Sequence, residues 1–124
     1  MSNGTVSKIL YTATATAHGG REGHIKSSDG VLDFDLKVPK ELGGPGGHGS
    51  NPEQLFAAGY AACFESALGV VGRRERAEVG DVSIDSRVSL LPTEERGFTL
   101  AVELDVTLPQ VHDPEQAARI VAAA

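Results

Sequence analysis

The stretch NPEQLFAAGYAACFESALG, residues 51–69, opens with the signals of a helix start and carries the chain's single cysteine, Cys63, near its middle. Asn51 suits an N-cap, because its side-chain oxygen can accept from an N–H of the first turn. Pro52 at the first helical position gives up a donor that had no partner there, and Gln54 completes a pattern like a capping box. From Leu55 to Phe64 there is no charged residue. Phe56, Tyr60, Cys63, Ala67 and Val70/Val71 recur at helical spacing, with Ala and Gly on the remaining sides. A helix apolar all round is expected to be buried at the centre of its fold.

Upstream, ILYTATATA (residues 9–17) alternates apolar or small residues with threonine, which predicts a half-buried strand. After HGGREGH a short segment over residues 25–27 and the turn Ser28-Asp29-Gly30 lead into Leu32, Phe34, Leu36 and Val38, which face away from Asp33, Asp35 and Lys37. This predicts a meander of hairpins. PKELGGPGGHGS (residues 39–50), rich in glycine, reads as a surface loop. Downstream, RRERAEVGD (residues 73–81) ends the helix in solvent. Val82, Ile84, Val88 and Leu90, and then Phe98, Leu100, Val102, Leu104, Val106 and Leu108, alternate with polar residues across the turn LPTEERG. These are the clearest strands, each with one wet and one covered face. Asp113-Pro114-Glu115-Gln116 repeats the cap signal and starts a last helix with Ile120, Val121 and Ala124 on its apolar side. The fold class is α+β, an antiparallel sheet packed against a central helix.

The 124 residues are expected to form one domain, and their ending inside AAA without a stop signal reads as a domain truncated at its C-terminal end. Eleven basic against 17 acidic residues, a formal charge of −6, argue against nucleic acid. No uninterrupted apolar run approaches the roughly 18 residues of a membrane span, MSNGTVSK lacks the apolar core of a signal peptide, and one cysteine cannot staple its own chain. The expected setting is the cytoplasm, with no membrane partner.

Metal ligation is not expected, since His18, His24, His48 and His112 include no pair three to five residues apart. The glycine-rich loop lacks the lysine and hydroxyl of a phosphate loop, and no nucleophile elbow selects a serine. On helical spacing alone Cys63 reads as a small hydrophobe filling the core, and a reactive thiol would need a positive group beside it. Arg21, in a turn after the first strand, has the plain reading of a solvated charge. Glu53 has that of a carboxylate favouring a helix N-terminus, as Glu115 does in the second cap.

Three stretches change the balance: LYTATATAHGGREG (residues 10–23), SSDGVLDFDLKVPKELGG (residues 27–44) and NPEQLFAAGYAACF (residues 51–64). Together and in this order they resemble the organic hydroperoxide resistance proteins, a branch of the larger family that includes the osmotically inducible OsmC peroxidases. The resemblance implies an OsmC-like fold, an intertwined homodimer, and a peroxidase whose reactive cysteine, arginine and glutamate correspond to Cys63, Arg21 and Glu53. The arginine's charge would favour the thiolate and donate to the peroxide, and the glutamate would hold the guanidinium by bidentate pairing. Leu55, Phe56, Tyr60 and Phe64 would form a pocket for an organic tail. No bound cofactor is implied. The reductant implied is an external dithiol, a lipoyl group on a lipoylated protein, and the family's second, resolving cysteine has no counterpart in this sequence. Glu53 and Cys63 stand ten residues apart, about 15 Å along a helix, so a shared site would take its carboxylate from the helix of a second subunit. The alternatives are the sister branch with broader peroxide use, a module that senses peroxide without turnover, and a structural protein with an inert thiol.

Overall fold

The structure, a computed structural model, describes residues 8–124. They fall into two compact units, divided between Asn51 and Pro52.

The first unit is built on a three-stranded antiparallel meander of β1 (Ala15–His18), β2 (His24–Ser27) and β3 (Asp33–Asp35) in the order β1-β2-β3. Its second turn forms where the sequence places it: Ser27 Oγ donates to Asp29 Oδ1 at 2.6 Å and the Val31 N–H donates to the same oxygen at 3.0 Å. Those bonds, Ser27 first, hold the Asp29 carboxyl below the usual carboxylate range. Gly30 supplies the positive φ of 76° that the turn needs. The first turn is a 3₁₀ turn, Gly20–Glu22, closed by the Gly23 N–H on the Gly20 carbonyl at 3.1 Å. Past β3, buried Leu36 makes a single parallel bridge with Ser50, and the loop between them contains a second 3₁₀ turn, Lys40–Leu42.

The strand expected over residues 9–17 forms only at its end. Ala15 faces Ser27, the last residue of β2, after which β2 turns away, so among the described residues nothing in this unit continues the ladder beside residues 9–13. Ile9, Leu10 and Tyr11 stand exposed, Leu10 at 96%. Period-two alternation shows that a segment is shaped for pairing; it does not say with what.

The second unit comprises α1 (Pro52–Arg74), β4 (Ser83–Pro92), β5 (Phe98–Thr107) and α2 (Pro114–Ala123). The helix begins at Pro52, as its start signals predict, and α2 begins after Asp113, whose side chain accepts from the Glu115 N–H at 3.0 Å. Strands β4 and β5 pair antiparallel over ten residues, from Ser83 opposite Thr107 to Pro92 opposite Phe98. On their wet face Arg87 Nη1 donates to Asp105 at 2.8 Å, and Nη2 lies 3.6 Å from Glu103. The core is Leu68, Val71, Val82 and Ile120, with Phe64, Ile84, Val106 and Leu108 packed against it. Leu68 and Ile120 are fully enclosed, and each such side chain contributes about 1.5 to 3 kcal/mol by leaving water.

Three expectations are corrected here. The strands form two separate antiparallel sheets, of three and two strands, where one sheet is expected. The central helix is not buried all round: within this chain only Leu68, Val71 and Gly72 of α1 are buried, while Phe56, Tyr60 and Val70 are exposed. A single chain covers one stripe of the helix, and composition on the other sides does not supply the cover. Finally, α1, 23 residues long, is long and apolar enough on length and composition to cross a membrane, although Glu65 interrupts its apolar run. A core helix passes the same test, and the C-terminal half of α1 is packed on β4 and α2.

The apolar face of the β4–β5 ribbon is likewise covered at one end only. Leu104, Val106 and Leu108 are half-buried, whereas Val102, Leu100 and Phe98 emerge progressively, Phe98 to 71%.

Candidate functional site

The candidate site is built on α1. Its i, i+3, i+4 geometry stacks Tyr60, Cys63, Phe64 and Ala67 on one side. These four residues, with Ala124 from beyond α2, line a cavity of about 230 Å³. Cys63 is a free thiol and is exposed, which corrects the reading of it as core filling. Its neighbours in the cavity are aromatic or methyl groups. That volume lies below the range occupied by drug-sized ligands and suits a short apolar tail that brings one reactive end to the sulfur.

Of the aromatic pocket residues expected from the sequence, Tyr60 and Phe64 line the cavity directly. Phe56 stands one turn back and stacks on Tyr60, with ring centroids 5.8 Å apart and planes 22° from parallel, an offset arrangement that fixes the tyrosine ring. Leu55 is half-buried and does not line the cavity. Ala124 was not anticipated, because only the return of α2 toward α1 brings it there.

Glu53 lies in the first turn of α1 and is half-buried. Since it shares one continuous helix with Cys63, the ten-residue rise of about 15 Å keeps the two apart within a chain. Arg21 is the middle residue of the 3₁₀ turn between β1 and β2 and is half-buried. The turn that presents it is sterically tight. Gly19 and Gly20 adopt φ of 79° and 58°, and a Cβ at Gly23 would fall on the carbonyl oxygen of His18.

His24, at the base of that turn, was passed over in the sequence. Its Nδ1 lies 2.7 Å from Asp35 Oδ1 and its Nε2 is hydrogen-bonded to Asp33 Oδ1. With a carboxylate at each ring nitrogen, the arrangement favours the imidazolium, in which both nitrogens donate. The bond to Asp35, then that to Asp33, raises the His24 pKa above its ordinary value, and His24 in turn lowers that of Asp35. The detectable signal was the cross-strand register, which places His24 opposite Asp35.

Comparison with known proteins gives the following. The family model described as OsmC-like protein matches residues 44–124. An organic hydroperoxide resistance protein of Xanthomonas axonopodis pv. citri (strain 306) is 52% identical over 111 residues, covering 87% of this chain and 76% of that one. The crystal structure of an organic hydroperoxide resistance protein OsmC from Legionella pneumophila superposes with a TM-score of 0.86 at 51% identity, over 94% of this chain and 83% of the other. That of the organic hydroperoxide resistance protein OhrB of Bacillus subtilis gives 0.82 at 47% identity, over 93% and 84%.

Proposed function

Because the chain belongs to the OsmC-like family, in the branch of the organic hydroperoxide resistance proteins, we propose that it is a cysteine-based peroxidase that reduces organic hydroperoxides, lipid hydroperoxides among them, to alcohols. The observation that carries this reading is the exposed Cys63 thiol at the wall of an apolar cavity with Tyr60 and Phe64. A structural thiol needs no access, and a metal-binding one needs partners of its own kind.

In the proposed reaction the Cys63 thiolate attacks the distal oxygen of ROOH while the organic group lies against Tyr60 and Phe64. The O–O bond breaks, the sulfur is oxidised to a sulfenic acid, and the alkoxide takes a proton and leaves as ROH. Arg21 donates to the peroxide and balances charge on sulfur, and Glu53 holds its fork. A dithiol then attacks the sulfenic acid, releases water and forms a mixed disulfide, and its second thiol displaces Cys63. A lipoyl group on a lipoylated protein fits that role, and a cytoplasmic setting supplies it. An apolar cavity favours substrates with an organic tail over hydrogen peroxide, which gains nothing from it.

The functional unit in this reading is a homodimer. Glu53 is out of reach of the Cys63 on its own helix, and the apolar surfaces left open on α1, on β5 and at residues 9–11 are those a second copy would cover. Sedimentation equilibrium is expected to give twice the 12.9 kDa chain mass at micromolar concentration, and Leu100→Asp is expected to weaken association at least tenfold. A fully active monomer would remove the dimer from the mechanism.

Stopped-flow oxidation tests the function. Reaction with tert-butyl or lipid hydroperoxide should exceed that with hydrogen peroxide by at least about tenfold. Intact mass should rise by one oxygen per chain and return with dihydrolipoamide. Oxidation that dithiols cannot reverse would favour a sensing module, and equal rates with both peroxides would favour the broader branch.

A further inference from the structure

We propose that His24 is a positioning residue for Arg21, an imidazolium clamp that fixes the β1–β2 turn against β3 and so makes the proposed peroxidase activity fall at alkaline pH. This inference rests on the reading of Arg21 given above, and its test separates the two.

Arg21 sits on a turn that has almost no freedom of its own. Its entry, Gly19, and its exit, Gly23, are packed so closely that neither tolerates a Cβ, and Gly23 donates back into the turn at Gly20. Such a turn moves as a block, and its orientation is set by whatever holds its two ends. One end continues into β1, an edge strand of four residues, all paired with β2, with His18 opposite His24 itself. The other end is held twice to β3: the Leu36 N–H donates to the Gly23 carbonyl at 2.8 Å, and the His24 ring reaches both Asp35 and Asp33. The side-chain clamp therefore lies one residue beyond the block that carries the arginine.

The groups facing His24 can be followed from every strand of this sheet. His18 is its register partner on β1 and Asp35 its partner on β3, with Asp33 next along β3. Lys26 follows on the same side of β2, and Glu22 lies in the turn. The two carboxylates that contact the ring favour its charged form, while the Lys26 ammonium on the same side of β2 opposes it. When the ring loses its proton, one nitrogen becomes an acceptor facing a carboxylate oxygen, and that contact turns repulsive. One of the two side-chain bonds to β3 is then lost, and the turn is held by strand pairing and the Gly23 carbonyl bond without that brace.

The sign follows from the direction of the shifts. His24 is raised by folding, so the clamp's contribution is whole below the ordinary histidine range and disappears as pH rises through the higher folded value. Asp35 is lowered, so its share is lost only as pH falls below the ordinary aspartate range. Between these limits the arginine is held.

The test uses the whole 124-residue chain. Two-dimensional NMR should show the Arg21 Nε–H resonance moving with the same midpoint as the His24 ring. The second-order rate with an organic hydroperoxide should decline at least threefold across that same midpoint. In His24→Gln the decline should vanish, and in Asp35→Asn it should move to lower pH together with the ring titration. A decline that persists unchanged in His24→Gln, or an Arg21 resonance indifferent to the His24 titration, overturns the proposal. If the resonance tracks the ring while Cys63 fails to react with hydroperoxide at any pH, the positioning stands and the peroxidase reading falls. Should His24→Gln not fold, the Asp35→Asn shift and the wild-type resonance decide the matter by themselves.

Discussion

Cys63→Ser should abolish reduction of organic hydroperoxides, with a fall of at least about 10³-fold in the second-order rate, while leaving the protein folded. A serine hydroxyl is not ionised at neutral pH, and no neighbour in the cavity can take its proton: the lining is Tyr60, Phe64, Ala67 and Ala124. Sulfur is also the more polarisable nucleophile, suited to a weak O–O bond. Because residue 63 is exposed in the chain and the substitution is nearly isosteric, the chemical-denaturation midpoint should correspond to a change within about 0.5 kcal/mol. Peroxide consumption that survives in this variant, measured by loss of tert-butyl hydroperoxide with dihydrolipoamide present, would end the assignment of the nucleophile.

Arg21→Gln is expected to give the second largest loss, about 10²-fold at neutral pH. That is the order found when one preorganised donor to developing charge is removed from an active site. Glutamine keeps a donor of similar reach and removes the charge, so the measured deficit reports electrostatics more than packing. The deficit should narrow at alkaline pH, where hydroxide ionises a thiol without help. Arg21→Lys should recover only part of the rate, since a point charge replaces a planar fork. A rate profile for Arg21→Gln that matches wild type at every pH would leave the arginine with a structural role alone.

Much of this architecture could be read from residues near one another in the chain. The Asn51-Pro52 and Asp113-Pro114 signals gave two helix starts to the residue, because caps are local chemistry. The alternation in residues 82–108 gave β4 and β5, and Ser28-Asp29-Gly30 gave the turn that Asp29 stabilises. The failures share a cause. An apolar face states that something must cover it and does not identify the cover, so α1 reads as buried and residues 9–13 as a paired strand, although the described residues of the chain supply neither partner.

The site divides along the same line. Helical periodicity aligns Tyr60, Cys63 and Ala67 but points to a buried face; the pocket expectation came with the resemblance, and of its four residues Tyr60 and Phe64 line the cavity. Arg21 and Glu53 came from resemblance, since each has an ordinary local explanation as a turn charge and a helix-start carboxylate. The spacing of histidines along the chain says nothing of His24, whose partners lie nine and eleven residues away and are brought alongside by strand register.

The absent Cβ at Gly23 carries a consequence for how this protein can change over generations. A side chain there would collide with the carbonyl of His18, at the end of the strand just left behind, so sterics alone exclude substitution at that position, whatever the neighbouring arginine does. The hairpin can thus vary only with that backbone kept, whereas at the cavity wall on the helix one aromatic ring can replace another without asking the backbone to move.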